Sequence, residues 1–94
     1  MSKYEIIYII DSSLSEEEIQ SVVAKFTEFM EANATVENVD EWGKKKLAYL
    51  INKKAEGYYV CVHVVAAPEF PRLLERQFRI HESILKHLLV KVEE

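Results

Sequence analysis

The sequence predicts an α+β fold in which two helices cover one face of a four-stranded antiparallel sheet. Apolar residues alternate with a period of two in four segments and recur at spacings of three and four in two others. In chain order these segments read strand, helix, strand, strand, helix, strand, which is the split βαβ arrangement, βαββαβ. Right-handed crossovers place both helices on one face and the first and third strands in the centre of the sheet.

The first strand and the first helix have the clearest sequence signals. The segment from Lys3 to Ile10 is rich in β-branched and aromatic residues on both of its faces, which is typical of a central strand. Ser15 and Glu18 have the spacing of a capping box, so the helix should begin at Ser15 and run to about Ala32. Its apolar stripe consists of Ile19, Val22, Val23, Phe26, Phe29 and Met30.

The second and third strands are predicted to form a hairpin. Thr35 to Ile51 reads as one long strand bent at Gly43, because a glycine inside a strand pattern usually marks a bulge. The residues from Asn52 to Gly57 have the composition of a turn, and Tyr58 to Ala66 alternates again. A bulge at Gly43 would decide which way the following side chains point.

The last two segments complete the pattern. Pro68 to Pro71 opens a short second helix, since a proline in the first helical turn removes an amide that has no partner there. The buried stripe of this helix is predicted to be Phe70, Leu74 and Phe78. His81 to Ser83 interrupts the pattern, and Ile84 to Val92 returns to strand.

Composition limits the class of protein. The 94 residues suit one domain, 1–94, and a 49% hydrophobic content with only two glycines favours a packed core. The single cysteine cannot form an internal disulfide, and the first residues lack the pattern of a secretory signal, so we expect a cytoplasmic protein. No apolar run approaches the roughly 20 residues of a membrane span, so no membrane partner is expected.

Positive charge is concentrated in one part of an acidic chain. The net charge of −4 disfavours a protein that coats nucleic acid with its whole surface. Five lysines nevertheless lie close together, and Trp42 and Tyr49 flank the first three of them. Phosphate-pairing and stacking groups in this mixture suit RNA. The alternative is that lysines on an edge strand only prevent aggregation. The five are Lys44, Lys45, Lys46, Lys53 and Lys54.

The face of the sheet opposite the helices is predicted to bind a partner protein, because it is too apolar to remain exposed to water. The predicted partner face consists of Ile7, Ile9, Tyr59, Cys61 and Val65.

The sequence contains no pattern typical of an enzyme. It has no glycine-rich phosphate loop, no paired carboxylates at a strand end and no nucleophile with a base at a catalytic spacing. We therefore expect no catalytic residues, no cofactor and no small-molecule substrate. Cys61 and His63 share a strand face and could bind a metal or activate a thiolate, but a metal site needs three or four ligands. A packed thiol and no metal site are predicted.

Four stretches of the chain resemble one protein family. They are Tyr4-Glu5, the block from Trp42 to Tyr49, the block from Glu56 to Tyr59, and Leu89 to Lys91. Together they are similar to the bacterial small-subunit ribosomal protein family numbered six, over nearly the whole chain. The resemblance implies a ferredoxin-like fold and a structural, non-enzymatic role in translation on the ribosome.

The resemblance also implies partners and contact residues. Members of this family bind small-subunit ribosomal RNA in the platform region, together with the small-subunit ribosomal protein numbered eighteen. The positions expected to contact RNA on this ground are Lys44, Lys45, Lys46, Tyr49, Arg79 and Lys91. Two alternatives of the same topology are a small-molecule-sensing regulatory domain and a general dimerisation module.

Overall fold

The computed structural model describes residues 1–51 and 53–92 and has the predicted order of elements. The strands are β1 (Ser2–Asp11), β2 (Thr35–Ile51), β3 (Lys54–Ala66) and β4 (Ile84–Val92), and the helices are α1 (Glu16–Asn33) and α2 (Phe70–Ile80). All paired strands are antiparallel, and their order in the sheet is β2-β3-β1-β4. The predicted α+β, ferredoxin-like fold with β1 and β3 in the centre is therefore confirmed.

The helix boundaries follow the predicted signals. Ser15 is the N-cap of α1: its hydroxyl accepts a hydrogen bond from the amide of Glu18, and the Glu18 carboxylate accepts one from the amide of Ser15. This reciprocal pair satisfies two amides that the first turn leaves without partners. At α2 no side chain caps the start, and Pro71 in the first turn takes the place of an amide donor.

The hydrophobic core lies between the helices and one face of the sheet. Each helix buries its predicted stripe, except that Phe29 of α1 is only partly buried, and β1 and β3 contribute alternate residues to the same layer. The centre of the core is an aromatic cluster in which the ring of Tyr8 lies 5.6 Å from Phe26 and 5.1 Å from Phe78. Tilted aromatic pairs at these separations stabilise a core beyond the area they bury. We call this the helix face of the sheet and the opposite side the open face.

The hairpin between β2 and β3 differs from the prediction. The turn was predicted over 52–57, but β3 already begins at Lys54, so Glu56 and Gly57 are strand residues. Asn52 lies outside the described residues. Lys53 adopts the left-handed backbone conformation, with a φ of +65°. Gly57 is buried, and a Cβ there would clash with the side chain of Ile9. The glycine therefore permits a close approach of β3 to β1 and does not form the turn.

Candidate nucleic-acid interface

The lysine block begins at a bulge in β2. The pairing with β3 shifts between Glu41 and Gly43, and Gly43 has a φ of +86°. A side chain would be strained in this conformation, although it would meet no atom within 4 Å. The bulge turns the side chain of Trp42 onto the open face, where its ring stacks on Tyr59 at 6.3 Å and 15°. The predicted bend at Gly43 is therefore present.

Beyond the bulge the three lysines alternate between the two faces of β2. Lys44 is the register partner of Tyr58, Lys45 of Gly57 and Lys46 of Glu56, and all three lysines are exposed. Successive strand residues point to opposite faces, so Lys45 lies on the open face and its two neighbours point toward the helix side. Because β2 is an edge strand, the outer side of this block is not covered by another strand.

Lys45 and Trp42 form a contact of their own on the open face. The Lys45 ammonium lies 5.2 Å from the centroid of the indole ring, within the range of a cation–π interaction. The indole Nε1 donates a hydrogen bond to Asp40 Oδ2 at 3.0 Å, which fixes the ring on its strand. Trp42 remains 41% exposed, so part of its ring is available for stacking.

The two lysines near the hairpin turn differ in their surroundings. Lys53 is exposed at the turn. Lys54 Nζ lies 3.6 Å from Asp11 Oδ2 and donates to the Ser13 hydroxyl at 3.4 Å, so it joins the hairpin to the loop before α1. The pKa of Asp11 is lowered, first by the hydrogen bond from the backbone amide of Ser13 and further by its hydroxyl and by Lys54. Lys54 therefore has a structural role, because it forms this ion pair within the chain.

Tyr49 reaches across the open face. Lys86 Nζ, on the opposite edge strand, donates a hydrogen bond to Tyr49 Oη at 2.7 Å and lies 5.2 Å from the ring centroid. This hydrogen bond is the largest cause of the raised pKa of Lys86. The end of β2 therefore curls over the sheet, and we call residues 47–51 the arm. The sequence analysis did not identify Lys86, because the pairing of neighbouring strands does not place this residue of β4 near Tyr49 of β2.

Arg79 and Lys91 lie away from the lysine block. Lys91 is an exposed residue of β4, and Arg79 is exposed in the last turn of α2, which packs against β4. β2 and β4 are the two opposite edges of the sheet. The residues predicted to contact RNA therefore form two groups, one at each edge, and the structure does not bring them together.

The residues of the predicted partner face are apolar, but the most exposed apolar side chains of the open face lie on the edge strands. Ile9 and Cys61 are already buried by their neighbours, whereas Ile7, Tyr59 and Val65 are half-buried. Exposed apolar side chains on this face lie on both edge strands: Leu88 of β4 is 53% exposed, and Trp42 and Tyr49 of β2 are 41% and 60% exposed. A shallow groove of about 200 Å³ lies between β1, β3 and β4. Register places Val90 and Val92 on the same face as Leu88, and the sequence prediction had left all three out.

Comparisons with known proteins agree with this architecture. The sequence model of the family described as Ribosomal protein S6 matches residues 3–91. In the crystal structure of 30S ribosomal protein S6 from Thermotoga maritima, the chain is 25% identical, with a TM-score of 0.92 over 97% of this chain and 87% of that one. Among the described residues, no helix is both long and apolar enough to cross a membrane.

Bacterial relatives are similar over their full length. "Small ribosomal subunit protein bS6" of Clostridium beijerinckii is 47% identical over 91 residues, 96% of each chain, and that of Alkaliphilus oremlandii is 43% identical over 93 residues, 99% of each chain. The names of these relatives agree with the predicted ribosomal, cytoplasmic location. The family is one of ribosomal structural proteins and not of enzymes. The match to the family model over 3–91 and the full-length relatives together show that this chain belongs to the ribosomal protein S6 family.

Proposed function

We propose that the chain acts as one domain of the small ribosomal subunit that binds small-subunit ribosomal RNA together with the small-subunit ribosomal protein numbered eighteen. The observation on which this rests is the block Lys44 to Lys46, which alternates along an edge strand with all three residues exposed. Such a strand can approach the phosphates of an RNA from either side without displacing any other part of the sheet.

The surroundings of the block support RNA as its ligand. Trp42 offers an exposed aromatic ring beside Lys45, which is the combination of stacking surface and cation that suits RNA. Lys53 extends the positive surface to the hairpin turn, while Lys54 supports the turn through Asp11 and is proposed as a weaker contact.

The second basic group is proposed to contact different phosphates from the lysine block. Three strand-to-strand spacings of about 4.8 Å separate β2 from β4, which places the edges about 14 Å apart. Arg79 and Lys91 on the β4 side would therefore meet a separate part of the RNA. Tyr49, whose hydroxyl meets Lys86 of β4, would contact RNA from the arm over the open face.

The partner protein is proposed to dock on the open face. Leu88 and Val90 are exposed there beside the half-buried Ile7 and Tyr59, and Ile9, Cys61 and Val65 lie beneath or beside them. Burying this surface against a partner would stabilise a complex by about 25 cal/mol per Å² of apolar area, before the cost of association. The net charge of −4 favours a basic partner.

The test is assembly of the chain with a small-subunit ribosomal RNA fragment and the purified partner, measured over a range of salt concentrations. If four lysines meet phosphates, they contribute about −3 to the slope of the logarithm of affinity against the logarithm of salt. The triple variant K44A/K45A/K46A should weaken binding and make this slope shallower by about 2. Its free energy of unfolding should change by no more than about 1 kcal/mol, because the three side chains are exposed.

A matched control removes the same charge elsewhere. K25A/R72A/R76A takes three exposed cations from the helices and should leave the slope unchanged. The variant Val90→Glu should weaken docking of the partner, whereas the triple lysine variant should retain it. Unchanged RNA affinity and slope in K44A/K45A/K46A would show that the block only protects an edge strand from aggregation. A homodimer that ignores both RNA and partner would instead indicate the dimerisation module.

A further inference from the structure

Three side chains of the kinds that bind transition metals meet at the middle of the open face. Glu5 of β1 is the register partner of His63 of β3, and Cys61 precedes His63 by two residues on the same strand. A separation of two places Cys61 and His63 on one face of the strand. One ligand atom from each of the three residues lies within 4.8 Å of the other two. Topology therefore supplies the third ligand that the cysteine and histidine lack in sequence.

The arrangement is close to what a tetrahedral zinc ion requires. With bonds of 2.0–2.2 Å to nitrogen and oxygen and about 2.3 Å to sulfur, ligand atoms lie roughly 3.3 to 3.6 Å apart. His63 Nε2 and Glu5 Oε2 are 3.0 Å apart already. The widest of the three distances between ligand atoms, which is at most 4.8 Å, must shorten by about 1 Å. The side chains of His63 and Glu5 are 39% and 40% exposed, so rotation of these two side chains can supply the movement while Cys61 stays in place.

The charges around the sulfur favour a cation. The carboxylates of Glu5 and Asp40 are close enough to the Cys61 sulfur to act on it electrostatically. The same two carboxylates would stabilise a divalent ion, and binding of the ion to the sulfur would release the thiol proton to solvent. The hydrogen bond between His63 and Glu5 would be exchanged for one bond from each to the metal.

We propose that Glu5, Cys61 and His63 form a Zn²⁺ site with three protein ligands, whose fourth position faces solvent and takes a water molecule. A set of one sulfur, one imidazole nitrogen and one carboxylate oxygen suits zinc better than magnesium or calcium, which prefer oxygen alone. The site uses none of the residues proposed to bind RNA. Cys61 also belongs to the surface proposed for the partner protein, so the metal site with its solvent-facing position is proposed for the chain without that partner.

The test is titration of the reduced, full-length chain with Co²⁺, which reports tetrahedral sulfur coordination in its absorption spectrum. We expect one equivalent to bind, with strong visible bands and a thiolate-to-cobalt charge-transfer band, and Zn²⁺ to displace it. Cys61→Ala should abolish the charge-transfer band. His63→Gln and Glu5→Gln should each lower the cobalt affinity at least about tenfold, the smallest loss expected when even an outer partner of a metal site is removed.

The chain offers a matched control in a second histidine–carboxylate pair. His87 Nε2 lies 3.8 Å from Glu75 Oε2, and among the described residues this pair belongs to no group of three or more metal-binding side chains. His87→Gln and Glu75→Gln should leave the spectrum and affinity unchanged. Absence of the charge-transfer band in the native chain would overturn the proposal, as would unchanged affinity in both His63→Gln and Glu5→Gln. Since neither RNA nor partner protein is present, the outcome does not depend on the proposed function.

Discussion

Lys86 and Tyr49 join the two opposite edges of the sheet. Lys86 Nζ donates a hydrogen bond to Tyr49 Oη at 2.7 Å, although β4 and β2 have both central strands between them. The contact holds the arm, residues 47–51, over the open face. The arm thereby forms one wall of the surface proposed for the partner protein, so its position affects what can dock there.

Removal of this hydrogen bond should release the arm. In Tyr49→Phe and in Lys86→Met, amide hydrogen exchange in residues 47–51 should become faster, while the thermal midpoint stays the same because both side chains are exposed. The double variant should exchange no faster than Lys86→Met, because Lys86→Met already loses both the hydrogen bond and the cation–π contact, whereas Tyr49→Phe loses only the hydrogen bond. Additive effects in the double variant would show that the two side chains act separately on the arm.

Substitution of Gly43 should destabilise the chain at the bulge where the lysine block begins. Gly43→Ala should destabilise the chain by about 1 kcal/mol, because an L-residue at a φ of +86° is strained even though no neighbour is in the way. Gly43→Asn should lose less stability than Gly43→Ala, since asparagine tolerates positive φ better than alanine does. Urea denaturation measures both, and equal losses in the two variants would point to a cause other than backbone conformation.

Asp11 should make stability depend on pH on the acid side. Its pKa in the folded chain is lowered from 3.8, first by the hydrogen bond from the Ser13 amide. A lowered folded pKa means that its contribution is complete above about pH 5 and is lost as the pH falls through the unfolded and then the folded pKa. Asp11→Asn should therefore cost less than about 1 kcal/mol at pH 7, as expected for a partly exposed ion pair.

The difference between native chain and Asp11→Asn isolates this carboxylate from the other acidic groups. That difference, measured by urea denaturation from pH 7 to pH 2, should shrink toward the acid end. A difference that stays constant with pH would contradict the assignment of the stabilisation to the ionised form.

Phe78 should be one of the most sensitive positions of the core. It is 1% exposed and its ring contacts those of Tyr8, Phe26 and His87. Phe78→Ala should cost about 3 to 5 kcal/mol, because the cavity adds to the lost burial. Leu73→Ala in the same helix is the control, and its exposed position predicts a change within about 0.5 kcal/mol. Similar losses at both positions, measured by urea denaturation, would contradict the burial described for α2.

The sequence was sufficient for the fold because each element has a local cause. The capping box at Ser15, the stripe ending at Phe78 and the glycine in β2 each act over a few residues, and the order of elements then limits the topology. The predicted turn was wrong in length because Gly57, which is typical of turns, is needed here for close contact with Ile9.

The arrangement of the site could be predicted only in part. The lysine block is continuous in sequence, so its position on β2 follows from the strand alone. The contacts of Lys54 with Asp11 and of Lys86 with Tyr49 depend on how far the hairpin extends and curls. The alternation of apolar and polar residues along the strands does not predict this extent. The meeting of Glu5 with His63 requires the exact pairing of β1 and β3, and a shift of one residue would send Glu5 to the other face.

The strand order has a consequence for how the chain is synthesised. β1 emerges first but obtains its second neighbour from β4, the last strand to be made. Until residues 84–92 are available, one side of β1 exposes a row of unpaired amides and carbonyls that another nascent chain could bind. Pairing of β4 with β1 soon after synthesis therefore protects this edge of β1 from association with other nascent chains.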